Sequence, residues 1–449
     1  MDTSKLVTEG DVNVSEERRK WNQEITDPQT LQILEDDSRY FLHQSMSSPC
    51  LDVLDRCNGS GMTTLSGKNM LDFHGNNVHQ LGYGNEYVIN QLTEQMNRLS
   101  FSPRRYTNQP AVELAKKLAS LLPGDLNRSL FAPGGTSAIG MAIKLARVVT
   151  GKHKIVSLWD SFHGASLDAI SAGGEEIFKR HLGPMMPGTI CIPPPTTYFG
   201  VFGDTEDDQL NYAEYLEYVI EKEGDVGAFL VETVRNTDVQ IPTQAYWKRV
   251  REICTKHNVL LILDEIPIAF GRTGKMFAFE NFGIEPDILC LGKGLGGGII
   301  PFAAMIARDS YNVAGDISLG HYTHEKSPLG STAALATINY IESENILQKV
   351  VEDGVWMKNE LNKLKEQFSI IGDVRGIGLL WGLELVKNRE TKEKANAEAE
   401  QIMYQCMKRG LSFKVSQGNV IQLSPALTIS REDLQAAISI LSSAFEKYD

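Results

Sequence analysis

The chain has 449 residues, 42% of them hydrophobic and 22% charged, and a formal net charge of −13. These values describe an ordinary globular protein long enough for two domains, and the acidity argues against a nucleic-acid-binding role. No apolar run reaches the roughly 18 residues of a membrane span, and no charged-then-apolar leader opens the chain. The six scattered cysteines form neither a C-x-x-C pair nor a disulfide framework, so the expectation is a cytoplasmic protein without a structural metal.

Residues 1–40 are polar, and Glu16, Glu17, Arg18, Arg19 and Lys20 read as an exposed helix. The composition becomes globular near Met70 and Leu71. A polar run follows, His74-Gly75-Asn76-Asn77-Val78-His79-Gln80, which reads equally well as a solvated loop or a ligand-facing one. Residues 111–122 carry apolar side chains at helical spacing and stop before Pro123-Gly124. Residues 129–132 are strand-like, and Pro133-Gly134-Gly135-Thr136-Ser137 then opens a long amphipathic helix through 149. Bare glycines at a helix start let backbone N–H groups hold an anion, although a plain N-cap at Thr136 or Ser137 is the simpler reading.

Residues 154–158 form the next strand, leading to Phe162-His163-Gly164. A helix over 212–221 precedes a strand over 228–232 that ends on Glu232. A second helix, 244–257, leads to the apolar run 259–263, which delivers Asp264. The run 287–291 reads the same way and delivers Lys293, followed by Gly-Leu-Gly-Gly-Gly. Strand and helix alternate, which predicts a mainly parallel sheet with its functional loops gathered on one edge. From Ser331 onward, helices and short strands, among them 380–386, suggest a smaller second part.

A carboxylate and a lysine at the C-terminal ends of neighbouring strands suit pyridoxal 5'-phosphate (PLP). The lysine forms the Schiff base, and the acid pairs with the pyridinium nitrogen. Taken singly, Asp264 reads as a helix cap and Lys293 as a solvated loop residue. Their surroundings are more specific. Asp264-Glu265-Ile266 runs into Gly271-Arg272-Thr273-Gly274, and Gly292-Lys293-Gly294 runs into Gly296-Gly297-Gly298-Ile299-Ile300-Pro301. In this order they resemble the class III aminotransferase family of fold-type I PLP enzymes, over residues 71–429.

The resemblance implies an α/β fold with a large PLP-binding domain over 71–330, built on a mainly parallel sheet, and a small α+β domain over 331–449. Residues 1–70 would contribute to the small domain and to a dimer contact. It implies Gly135 and Thr136 as ligands of the cofactor phosphate, Phe162 stacked on the ring with His163 beside it, and Glu232 near the cofactor hydroxyl or the substrate amine. Thr323 would reach the phosphate of the neighbouring subunit's cofactor in a homodimer with shared active sites, a tetramer being the larger alternative. The run from His74 to Gln80 would line the site entrance, with Asn77 among the substrate residues.

Departures from the family pattern point to the reaction. Ser137 and Gly140 stand where members usually carry glutamates, and Pro267 stands where a glutamine is usual. Thr233 to Thr237 replace a proline and a glycine-rich run, and Gln422 replaces the arginine that grips an α-carboxylate. Arg104, Arg105 and Arg235 instead lie on segments the family uses as active-site walls, where arginine forks suit a phosphate or phosphonate. Within the family the chain resembles the ammonia-lyases of hydroxylated aminoalkylphosphonates. The expectation is therefore a PLP-dependent lyase with Lys293 and Asp264 as catalytic residues, and with Arg104, Arg105, Arg235 and Asn77 binding an aminophosphonate. The alternative is an omega-aminotransferase moving a terminal amino group to a keto acid. Racemisation competes with both, whereas the intact Asp264–Lys293 pair argues against a non-catalytic binding homologue.

Overall fold

The computed structural model describes residues 14–44 and 47–448; expectations for residues 1–13 lie outside that range. Two compact units emerge. One comprises Glu86–Asn236 and Gln240–Leu347; the other combines the described residues up to Asn85, Thr237–Val239, and the described residues from Gln348.

The first unit is built on seven strands: β1 (Leu126–Ala132), β2 (Lys154–Leu158), β3 (Thr189–Ile192), β4 (Val226–Glu232), β5 (Leu260–Asp264), β6 (Ile288–Leu291) and β7 (Ala303–Arg308). They run in the order β1-β7-β6-β5-β4-β2-β3. All neighbours from β6 to β3 are parallel, and only β7 runs antiparallel to its neighbours β6 and β1. Every residue of β4, β5 and β6 is buried. This explains their unbroken apolar runs, because a parallel strand is covered on both faces. The mainly parallel sheet is the one the alternating sequence implies; the β3 strand and the antiparallel β7 strand were not foreseen.

Helices cover this sheet and stop where their sequences dictate. The Gly135–Thr150 helix buries Ala138, Ile139, Ala142, Ile143 and Ala146 in a cluster with Leu230, Ile262, Ile288 and Met305. It ends on Gly151 at φ +67°, a left-handed position that glycine adopts without Cβ strain. The Gln244–His257 helix starts with Thr243 Oγ1 accepting from Tyr246 N–H at 3.2 Å and ends at Asn258, also left-handed.

The second unit holds two sheets. Leu54–Asn58, Gly61–Thr64 and Asn69–Asp72 form an antiparallel meander extended by Leu411–Ser412, which pairs parallel to the third strand. Ile371–Ile377, Leu380–Asn388, Val420–Leu423 and Lys414–Ser416 make an antiparallel sheet, with Glu393–Lys394 pairing alongside. Arg375 donates to the carbonyls of Asp238 and Val239 at 2.6–3.1 Å and pairs with Glu384 Oε2 at 2.8 Å. This holds residues 237–239 against the sheet. Gly382 lies directly under them, since an added Cβ would meet Val239 Cβ at 3.0 Å.

Ile262, fully buried in the middle of β5, carries the strand that presents Asp264. Ile262→Ala should cost about 2–5 kcal/mol, read as a lower thermal midpoint. Val355→Ala, at a side chain 60% exposed, should stay within about 0.5 kcal/mol. Equal losses would mean that β5 is not the core strand described.

Candidate active site

The C-terminal ends of β1, β2, β4, β5 and β6 lie on one edge of the parallel sheet, and the candidate residues sit there. β5 ends at Asp264, which is 2% exposed. Its Oδ2 accepts from His163 Nδ1 at 2.8 Å, and its Oδ1 accepts from Ile266 N–H at 3.1 Å. A carboxylate can only accept, so the imidazole carries a proton on Nδ1. Nε2 of the same ring lies 3.3 Å from Ser157 Oγ, which is 3.2 Å from Ser161 Oγ. Ser161 Oγ in turn donates to Leu158 O at 2.8 Å. β2 and the turn after it therefore fix the imidazole from the side opposite Asp264.

Glu232 ends β4 as the register partner of Asp264. Its Oε1 accepts from Phe162 N–H at 3.3 Å and its Oε2 from Asn236 N–H at 3.1 Å. Burial pushes this carboxyl above its ordinary value; His163 counters the shift, and the neighbouring Asp264 adds to it. The Phe162 ring, half-buried, packs against Phe178 with centroids 4.6 Å apart.

Glu265, next along from Asp264, is fully buried. It accepts from Thr233 Oγ1 at 2.8 Å and from the N–H groups of Ala278 and Phe279 at 2.6 and 2.7 Å. Burial pushes its carboxyl up to about 7, against the pull of these three donors. It ties the chain after β4 to the chain after β5. Thr233, one of the departures from the family pattern, supplies a hydroxyl to that tie.

Beyond β6, Gly292 is extended and Lys293 opens a short 3-10 turn, Lys293–Gly296, at φ +46°. A non-glycine residue held there carries backbone strain of about 1–3 kcal/mol, a cost that recurs at functional sites. Ile266 connects this turn to the anion-binding candidate. Its side chain would be met by a Cβ at Gly135 (2.8 Å) and by one at Gly292 (3.1 Å). One isoleucine thus separates the helix start from the lysine turn, and a side chain at either glycine would press on it. Gly134 caps the helix with no side-chain hydrogen bond, so no capping side chain covers the first-turn N–H groups. Thr136 Oγ1 lies 2.5 Å from Ser166 Oγ and accepts from Ser166 N–H at 3.2 Å.

The remaining predicted residues are more dispersed. Arg235 is 5% exposed, its backbone paired with Gln240 and its Nη1 4.0 Å from Asp160 Oδ2, just past β2. It is therefore a buried cation on the same sheet edge. Arg104 and Arg105 lie in an exposed turn, and Thr323 in an exposed loop. In the second unit, Asn77 is buried at φ +57°, its Oδ1 accepting from Ser424 Oγ at 3.0 Å. The run around it is shaped by Asp72, whose Oδ1 accepts from the N–H groups of His74 and Gly75. Gln422 is fully buried, and neither atom of its amide has a hydrogen-bond partner among the described residues. Sequence reasoning passed over Ser157, Ser166, Asp168 and the anchoring role of Glu265. Ser157 carried a usable signal, a hydroxyl between the apolar residues Val156 and Leu158 of its strand. Outside this edge, Glu217, Glu221 and His257 cluster as a metal site would, but Glu217 is already paired with Arg249, Lys256 and His257.

Comparison with known proteins identifies the family. The family model for class III aminotransferases matches residues 43–445. The (R)-1-hydroxy-2-aminoethylphosphonate ammonia-lyase of Vibrio splendidus is 57% identical over 98% of this chain and 95% of its own. The leucine/methionine racemase of Thermococcus litoralis is 36% identical, over 82% and 84%. Among solved structures, the taurine:2-oxoglutarate aminotransferase of Bifidobacterium kashiwanohense, in complex with PLP and glutamate, superposes with a TM-score of 0.88 at 28% identity, covering 94% of this chain and 99% of that one. The chain belongs to the class III aminotransferase family.

Proposed function

We propose that this protein is a PLP-dependent ammonia-lyase that converts (R)-1-hydroxy-2-aminoethylphosphonate to phosphonoacetaldehyde and ammonia. The observation that carries the reading is its near-full-length likeness to an ammonia-lyase of that specificity. The residues present also fit the cofactor. A buried carboxylate held by an imidazole, a lysine on a strained turn, and a glycine-lined helix start meet around Ile266.

Bound PLP supplies an electron sink for the charge left when a proton leaves the amine-bearing carbon. The protein supplies the rest. Asp264 would hold the ring nitrogen in its protonated form, and His163 orients that carboxylate by its 2.8 Å hydrogen bond. Phe162 would lie against the ring, and the backbone N–H groups at Gly135 and Thr136 would receive the phosphate. The Lys293 amine removes the proton from the amine-bearing carbon. Hydroxide is then lost from the adjacent, phosphonate-bearing carbon, and hydrolysis of the released enamine gives aldehyde and ammonia. The water lost is returned, so the net change is loss of ammonia alone. Arg235, with Arg104 and Arg105, binds the phosphonate dianion. Gln422 in place of a carboxylate-binding arginine supports a one-substrate reaction, because no keto acid has to be held. We also propose a cytoplasmic homodimer in which the partner subunit's Thr323 completes the phosphate site. No helix among the described residues is long and apolar enough to cross a membrane.

Lys293→Ala should abolish turnover and the visible absorbance of bound PLP, whereas Asp264→Asn should retain cofactor and lose roughly 100-fold or more in rate. An active Lys293→Ala enzyme would remove the PLP reading. With PLP and the hydroxylated aminophosphonate but no keto acid, the wild type should release many equivalents of ammonia and aldehyde per site. A single turnover that resumes only on adding pyruvate or 2-oxoglutarate would instead establish an aminotransferase. Arg235→Gln should raise KM for the phosphonate roughly tenfold or more, as expected on losing a charge-assisted contact to an anion. An active monomer in sedimentation at assay dilution would overturn the shared-site dimer.

A further inference from the structure

The turn that presents Phe162 and His163 and the helix start that presents Gly135 and Thr136 come from different parts of the chain. They are joined by a line of polar contacts that the proposed chemistry does not use. Asp168, at the start of the Leu167–Ala172 helix, accepts from Ser166 Oγ through its Oδ1 and from Ala169 N–H at 2.9 Å. Ser166 Oγ lies 2.5 Å from Thr136 Oγ1, and Ser166 N–H donates to Thr136 Oγ1 at 3.2 Å. Thr136 also packs on Gly164, which is at φ +132° and where an added Cβ would lie 2.5 Å from Thr136 Oγ1. The carboxylate of Asp168 settles over Gly140 of the Gly135–Thr150 helix, where a Cβ would overlap its Oδ2.

Counting protons along this line fixes its direction. Asp168 can only accept, so Ser166 gives its hydroxyl proton to Asp168. Thr136 must then supply the proton in the Thr136–Ser166 contact, while its oxygen receives the Ser166 N–H. The Thr136 hydroxyl is thereby committed to the 164–166 turn, which leaves backbone N–H groups to meet an anion at the helix start.

We propose that Asp168 is a positioning residue for PLP binding: through Ser166 it orients the Thr136 hydroxyl, locking the Phe162-His163-Gly164 turn onto the phosphate-binding helix start. The inference rests on the PLP reading above. It predicts that phosphate binding and ring binding are coupled through a side chain that touches neither.

The test titrates PLP into apo-protein, following tryptophan fluorescence and the visible absorbance of the bound cofactor, with thermal midpoints of the apo-proteins as a folding control. Asp168→Ala should raise the dissociation constant about tenfold, the size expected for losing a hydrogen bond to a charged group, and weaken the induced circular dichroism of bound PLP. Asp168→Asn, whose carbonyl can still accept from Ser166, should bind nearly as the wild type does. Gly140→Ala, which displaces the carboxylate, should resemble Asp168→Ala. In a Thr136→Val background, Asp168→Ala should add little, because the line is already broken. Wild-type affinity in Asp168→Ala, or an undiminished effect in the Thr136→Val background, would overturn the proposal. If Asp168→Ala does not fold, Ser166→Ala against Asp168→Asn gives the same contrast. A wild-type protein that binds no PLP would instead refute the cofactor reading itself.

Discussion

The hydrogen bond between His163 Nδ1 and Asp264 Oδ2 is the interaction on which the rest of the site depends. Asp264 is buried at the end of a strand whose every residue is buried, where an isolated charge is expensive and would tend to take up a proton. The imidazole and the Ile266 N–H answer that cost by donating to it. The same bond joins β5 to the turn after β2. A single contact therefore orients the carboxylate and ties it to the turn that carries Phe162.

The neighbouring carboxylates solve the same problem in different ways. Glu232 and Asp264 are register partners on adjacent strands, about 5 Å apart across the ladder, so both cannot be charged without penalty. Burial raises Glu232, and two backbone N–H groups hold its oxygens. Glu265 is saturated by three donors from two segments and acts as a structural tie. Of these three neighbouring acids, Asp264 is held by the imidazole, Glu232 and Glu265 are both raised by burial, and Glu265 also anchors the loop that carries Arg235 and Asn236.

The second unit shows a different economy. Arg375 is buried yet fully engaged, with two backbone carbonyls and two carboxylates around it. Gln422 is buried with its amide unpaired among the described residues, a state that costs about 1–3 kcal/mol in a folded protein.

The sequence by itself determined the fold class and the pair at its centre. Unbroken short apolar runs ending in Asp264 and near Lys293 read as strands covered on both faces, and alternation with helices then points to a mainly parallel sheet with its loops gathered on one edge. The strand-end positions of Asp264 and Glu232, and the helix start at Gly135, are legible for that reason, whereas the roles expected for Glu232 and Gly135 came from the family resemblance. Tertiary structure alone decided how those loops hold one another. Ile266 lies between Gly135 and Gly292, Ser157 braces His163, and Asp168 reaches over Gly140 to Ser166. These contacts join residues up to 131 positions apart, as between Gly135 and Ile266, and local periodicity carries no record of such distances. The burial of Arg235 beside Asp160, against the exposure of Arg104 and Arg105, was likewise hidden, because an arginine reads the same in sequence whether solvent or a fold surrounds it.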